Sequence, residues 1–313
     1  MKKVLVIVGP TAVGKTALSI ELAQKFHGEI ISGDSMQVYR HLDIGTAKVT
    51  PEEKADIPHY LIDCRDISEN YSAADFQKEG RKYIETITAQ GKLPIVVGGT
   101  GLYIQSLLYD FHLGCGEDFQ KGIAIRQFYE QIAQEKGNQA LWEQLRQKDP
   151  AAALSIHFNN RKRVIRALEV FDQTGHSILQ TKKVPQKLYD FMLIGLETER
   201  TLLYERINQR VDLMIDAGLL TEAEWLFKTP EVQAAQGIGY KEFFPYFEGN
   251  TSLASAIALV KQQSRRYAKR QLTWFKNRMS PQWWDLVQQA YAKIELEEQV
   301  NQWLKVGEGA KHE

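Results

Sequence analysis

The chain has 313 residues, enough to bury a sizeable core as one large domain or as a core with an insertion, and its composition is that of a soluble globular protein. Thirty-nine Lys and Arg balance 39 Asp and Glu, which excludes a general polycation but leaves room for a local basic surface. No apolar run is long enough to span a bilayer, so no membrane association is expected, and the isolated cysteines Cys64 and Cys115 suggest a reducing compartment; a cytoplasmic location is expected.

Val4-Leu5-Val6-Ile7-Val8 is an apolar β-branched run and reads as a buried strand that leads straight into a glycine-rich loop. That loop is Gly9-Pro10-Thr11-Ala12-Val13-Gly14-Lys15-Thr16, and the residues after it carry a helical apolar stripe. Strand, G-x-x-x-x-G-K-T and helix together are the full context of a phosphate-binding loop. The glycines let several backbone N–H groups converge on one anion, and the helix start adds partial positive charge. Lys15 adds a full charge and the Thr16 hydroxyl can ligate Mg²⁺. A di- or triphosphate ligand is expected.

Glu29-Ile30-Ile31-Ser32 reads as a second strand ending at Gly33-Asp34-Ser35, which places Asp34 near the phosphate loop. Three roles stay open for Asp34: cap of the next helix, outer partner of Mg²⁺, or general base beside the bound phosphate. The polar stretch from Tyr39 to Lys48 reads as a loop, and His59 to Asp63 as a short strand. Ser72 and Asp75 form a capping signal for a helix that runs to about Gln90 and stops at Gly91.

Leu93 to Val97 is a further buried strand, and it ends in Gly98-Gly99-Thr100-Gly101. In phosphate-loop ATPases such a strand end commonly supplies an acidic residue for Mg²⁺ or water. Here it supplies close backbone approach and one neutral hydroxyl, which suits group transfer with water excluded better than hydrolysis. Thr100 is either a direct ligand or the cap of the helix that follows.

The pattern breaks from Phe111 to Gly116, and helices without strands follow to about Thr181: Ile123 to Lys136, Ala140 to Lys148, and Asn160 to Thr174. This predicts an inserted helical subdomain. Within it Arg163 and Arg166 share a helix face, as a solvated helix start or as contacts to polynucleotide phosphates. Phe191 to Leu196 returns to the sheet, and a helix from Thr201 to Ala217 places Arg206 and Arg210 on one face. Those arginines suit a grip on phosphate, or surface pairs with Glu205 or Asp212. From Gly249 to Trp284 there is no Asp or Glu, yet seven Lys and Arg interleave with Tyr267, Trp274 and Phe275. That one-sided stretch indicates a polyanion partner. Its aromatics could stack on unpaired bases, or form core, because Tyr267, Gln271 and Trp274 fall near one stripe.

In this order the motifs closely resemble the bacterial tRNA dimethylallyltransferases. The matching stretches are GPTAVGKT at 9–16, ISGDSMQVY at 31–39, DIGTAK at 43–48, YSAADF at 71–76, VVGGTGLY at 96–103, RALEV at 166–170 and AKRQLTWF at 268–275. The stretch 112–120 is idiosyncratic. The resemblance implies an α/β fold: a P-loop NTPase-like parallel sheet flanked by helices, with an inserted all-helical subdomain. It also implies domains at 1–112 for the first part of the core, 113–186 for a helical insertion that holds the tRNA anticodon stem-loop, and 187–313 for the rest of the core with a basic helical end.

The implied reaction moves a dimethylallyl group from its diphosphate to N6 of the adenosine at tRNA position 37, next to the anticodon. The resemblance assigns Asp34 as general base and Thr100 as a contact to that base or the diphosphate. Lys15, Thr16 and Arg210 grip the diphosphate and Mg²⁺, and Asp34-Ser35-Met36-Gln37 receives the adenosine. Arg126, Lys162-Arg163-Val164-Ile165-Arg166 and Gln236-Gly237-Ile238-Gly239-Tyr240-Lys241 are implied tRNA contacts. A monomer is expected, and binding of ATP would be incidental. Three rival readings stay open: a small-molecule kinase, a nucleotide-regulated RNA-binding protein, and the same transfer onto a free adenine nucleotide.

Overall fold

The computed structural model describes residues 1–111, 113, 119–179 and 185–306, so Cys115 and most of the idiosyncratic stretch 112–120 lie outside the described residues. The chain divides into two compact units, 1–111 with 186–313, and 112–185.

The first unit begins with β1 (Lys3–Val8), α1 (Lys15–Lys25), β2 (Gly28–Ser32), α2 (Pro51–Lys54), β3 (His59–Tyr60), α3 (Ala73–Ala89), β4 (Leu93–Gly98) and α4 (Gly101–Leu108). The second unit holds α5 (Phe119–Lys148), α6 (Pro150–Ser155) and α7 (Arg161–Thr174). The first unit then resumes with β5 (Asp190–Leu196), α8 (Arg200–Asp216), α9 (Leu219–Phe227), α10 (Phe244–Phe247), α11 (Leu253–Arg278), β6 (Gln282–Trp284) and α12 (Ala292–Lys305).

Six parallel strands form one sheet in the order β3-β2-β4-β1-β5-β6. β1 lies inside the sheet, and both of its faces are covered. Val4, Val6 and Val8 join one apolar cluster while Leu5 and Ile7 join the other. That is why its sequence is a continuous apolar run with no alternation. The loops after β1, β2 and β4 emerge together at the carboxyl edge, where parallel sheets place ligands.

Local signals act as their chemistry requires. Ser72 and Asp75 form a reciprocal capping box on α3, and the left-handed Gly91 (φ 72°) and Gly175 (φ 70°) follow α3 and α7. The strand expected from His59 to Asp63 keeps only two residues, because Leu61 (φ 62°) and Asp63 (φ 53°) turn into left-handed backbone that cannot continue a ladder. The two helices expected between 123 and 148 are both present: α5 starts at Phe119 and is divided at Gly137 (φ 82°, ψ 168°), where the backbone is not helical. β6 is unforeseen: three residues that gain a strand's hydrogen bonds only by lying along the edge of β5.

The second unit packs α5, α6 and α7 around Tyr129, Leu141, Leu145, Val164 and Leu168, all buried.

Candidate active site

The phosphate loop is shaped by positions that only particular residues tolerate. At Gly9 (φ 148°) a Cβ would sit 2.4 Å from the Leu196 carbonyl oxygen, so the chain leaving β1 passes too close to β5 for any side chain. Gly14 is left-handed (φ 94°) immediately before α1, which lets Lys15 begin the helix and turn its stem back over the loop. Its Nζ donates to the Pro10 carbonyl at 2.6 Å. Burial first, then the nearby Arg210 guanidinium, pull the Lys15 ammonium down to about 7, while Asp34 pulls the other way.

Asp34 leaves the end of β2 on a tight turn in which its Oδ1 accepts the Met36 N–H at 2.8 Å. The Gly33 N–H donates to the Val97 carbonyl at 2.7 Å, and a Cβ on Gly98 would lie 2.3 Å from the Gly33 oxygen. The two strand ends therefore touch backbone to backbone, which brings Asp34 beside Thr100. Burial raises the Asp34 carboxyl above the usual carboxylate range; the Met36 N–H, Lys15 and Arg210 oppose that rise without cancelling it. Thr100 begins α4 but its side chain does not cap it. Its Oγ1 accepts the Ser35 N–H at 3.3 Å, on the Asp34 side.

The glycines flanking Thr100 explain what the sequence left open. A Cβ on Gly99 would fall 1.9 Å from Gln271 Nε2, and one on Gly101 would fall 2.1 Å from Trp274. α11 thus lies directly against the end of β4. Buried Gln271 donates to the Gly99 carbonyl at 3.2 Å and accepts the Thr11 N–H of the phosphate loop at 3.2 Å. Tyr267, one turn earlier, places its hydroxyl beside Thr100 and Gln271, and burial with the Asp34 charge pushes its phenol up to about 12. Gln271 and Tyr267 are site residues that sequence reasoning missed. The signal was the Tyr267-Gln271-Trp274 stripe, in which a glutamine sits where a core helix would carry an aliphatic side chain.

These groups surround a cavity of about 440 Å³. Lys15, Asp34, Arg210, Tyr267 and Gln271 line it with polar atoms, and Ile207, Val211, Met214, Leu219 and Val260 give it an apolar wall. A neighbouring cavity of about 650 Å³ is lined by Gly14, Lys48, Glu53 and Arg206, and Lys15, Thr16 and Arg210 line both. Neither Arg206 nor Arg210 takes the alternative of a surface pair with Glu205 or Asp212. Arg206 Nε donates to the Ala12 carbonyl of the phosphate loop at 2.9 Å, and Asp212 pairs instead with Lys261 at 2.6 Å.

The other expected contacts differ in kind. Ser35, Met36 and Gln37 all line the cavity, and Gln37 is held in place by donating to the Thr46 and Ala47 carbonyls (3.2 and 3.3 Å) and accepting the Ser32 hydroxyl at 2.8 Å. Residues 236–241 also line it. Gln236 and Lys241 are exposed, Ile238 is half-buried, and Gly237, Gly239 and Tyr240 are buried. Tyr240 donates to Glu222 at 2.6 Å, and the same carboxylate accepts three successive N–H groups, from Asp43, Ile44 and Gly45, at 2.8–2.9 Å. One side chain of α9 thereby anchors two loops of the cavity rim. In the second unit, Lys162 and Arg163 are exposed, Arg126 and Arg166 are partly so, and Val164 and Ile165 are buried in the helical core. Any contact from that segment falls to its cations and not to Val164 or Ile165 side chains.

Among the described residues no group of three or more His, Cys, Asp or Glu could hold a metal. The exposed Thr16 hydroxyl on the wall of both cavities offers one oxygen. Such a donor set fits Mg²⁺ that keeps most of its waters and takes its other ligands from substrate phosphates.

The family model described as IPP transferase matches residues 37–278. A tRNA dimethylallyltransferase of Enterococcus faecalis is 70% identical over 305 residues, covering 97% of this chain and 98% of the relative. The crystal structure of the full-length tRNA isopentenylpyrophosphate transferase from Bacillus halodurans superposes with a TM-score of 0.76 at 44% identity, covering 100% of both chains. A eukaryotic dimethylallyltransferase acting on tRNA superposes with a TM-score of 0.75 at 35% identity, covering 88% of this chain and 70% of that one. The chain belongs to the IPP transferase family.

Proposed function

We propose that this chain transfers the dimethylallyl group of dimethylallyl diphosphate to N6 of the adenosine at tRNA position 37, 3′ to the anticodon, releasing diphosphate. The observation that carries this reading is the cavity itself, where one carboxylate, Asp34, faces the cations Lys15 and Arg210 across a space with an apolar wall. A small prenyl diphosphate has an apolar tail and an anionic head, and the lining divides in the same way.

The adenine N6 is a poor nucleophile because its lone pair is delocalised into the ring. Asp34 takes its proton as the new C–N bond forms, and its raised carboxyl suits that task better than an ordinary one. As the allylic C–O bond breaks, Lys15, Arg210 and the loop N–H groups receive the growing charge of the leaving diphosphate. Mg²⁺, when bound through Thr16 and the diphosphate oxygens, supplies further charge neutralisation there. Gln271 ties the end of β4 to the phosphate loop, with Tyr267 beside it and Thr100, and this packing serves to keep water from the reacting carbon. The anticodon-loop base reaches this pocket by extrusion, which costs less from a loop than from a duplex.

The phosphate loop on this reading cradles a leaving diphosphate, and ATP has no part in turnover. Incubation of the protein with tRNA, dimethylallyl diphosphate and Mg²⁺ alone should add a five-carbon unit to one adenosine, read by mass spectrometry of the nucleosides. A strict ATP requirement would indicate a kinase-like use of the loop, and product on free adenosine monophosphate but not on tRNA would overturn the tRNA assignment.

A further inference from the structure

The interface of α5 with α7 is apolar around Tyr129, Ala133, Leu141, Val164 and Leu168; Lys148–Asp172 and Arg161–Glu130 pair across it with partly exposed partners, whereas one charged side chain is almost fully buried. That side chain is Glu169, only 1% exposed. A carboxylate so placed must be paired. Its Oε1 accepts from Arg126 Nε of α5 at 2.8 Å, and its Oε2 from Arg166 Nη1 of α7 at 2.8 Å. The two arginine side chains are 48% and 36% exposed, so the carboxylate is inside while both guanidinium heads reach the surface. Each arginine donates one nitrogen to Glu169, and a guanidinium carries five N–H donors in all. Gly122 completes the socket: a Cβ there would lie 3.0 Å from Glu169 Oε1 and 2.8 Å from Gln173 Nε2. The exposed cations Lys162 and Arg163 begin the same helix one turn earlier. By contrast, Arg146 and Glu143 on α5 form a pair in which both partners are exposed, the kind that orders nothing.

We propose that Glu169 is a positioning residue for RNA: it holds Arg126 and Arg166 side by side as a preformed fork for backbone phosphates. The inference rests on the reading of this chain as acting on tRNA, which turnover by the unaltered protein tests separately. Glu169 lowers the net positive charge of the very surface it organises, so geometry and charge make opposite predictions. Charge alone says that its removal tightens RNA binding; positioning says that removal weakens it.

The test is steady-state kinetics on Glu169→Gln, which keeps the volume but cannot accept from both arginines. The expected result is a KM for tRNA raised about tenfold, with the KM for dimethylallyl diphosphate within about twofold of the unaltered protein. A tRNA KM that falls or stays the same overturns the proposal. Glu169→Gln placed on an Arg126→Ala/Arg166→Ala background should add nothing more; an undiminished effect there would mean that Glu169 acts through the core. Should Glu169→Gln melt below the assay temperature, Arg126→Lys decides, since it keeps the charge and loses the Nε contact. It should raise the tRNA KM as much as Arg126→Ala does, and a near-normal KM would overturn the inference.

Discussion

Asp34 is held by the Met36 N–H at 2.8 Å and lies among cations, yet burial still raises its carboxyl. Asp34→Asn keeps the oxygen that accepts the Met36 N–H, so the turn survives while the base is lost. The expected outcome is a kcat reduced at least about 100-fold, checked by single-turnover transfer to tRNA. The same two groups set the pH profile. Asp34 must be unprotonated, so kcat/KM for the donor falls on the acid side, through a pH above the usual carboxylate range. Lys15 must be protonated, so kcat/KM falls again on the alkaline side, as pH rises through about 7. The result is a narrow bell for the free enzyme. Bound diphosphate favours the charged lysine, so the alkaline limb of kcat itself should lie higher. Asp34→Asn should abolish the acid limb and move the alkaline one to lower pH, because the Asp34 charge that favours the Lys15 ammonium is gone.

At the scale of elements, the site is made by three loops at one sheet edge and by α11, which packs across them. Its Gln271 is the joint, with one bond to the phosphate loop and one to the end of β4. Gly99→Ala would thrust a methyl to 1.9 Å from Gln271 Nε2 and force that side chain away from both partners. The expected effect is a loss of about 1–3 kcal/mol, the range for overpacking a core, read by thermal or urea unfolding. A raised KM for dimethylallyl diphosphate should accompany it, because the Thr11 N–H loses its anchor; an unchanged melting point and donor KM would show that α11 is not coupled to the loop. Here the sequence was legible in part. The glycines of 98–101 announced close approach, but what approaches lies 172 residues away in the chain. No local pattern names a partner at that separation.

Across the whole molecule, net charge is zero, yet α11 carries seven Lys and Arg with no Asp or Glu, and Lys162 and Arg163 are exposed in the second unit. Binding of tRNA should therefore be strongly salt-dependent although the protein as a whole is neutral. For each phosphate contact, the slope of log affinity against log salt should steepen by about 0.7 to 0.9. The KM for tRNA should rise steeply between low and physiological salt, with a much smaller change in the donor KM. A flat tRNA response would remove the polyanion reading of α11.

The sequence by itself determined the strand, glycine loop and helix at the start of the chain and the helices between 123 and 174, because these follow from short-range rules of φ and burial period. It also placed Asp34 and Thr100 at strand ends, which in a parallel sheet is nearly a statement of position. Tertiary structure alone decided the rest. Thr100 faces Ser35 and does not cap α4, Val164 and Ile165 turn into a core, and Glu222 and Glu169 each bind groups from other elements. Such roles depend on which distant backbone or side chain comes within 3 Å, and that is fixed only when the elements have packed.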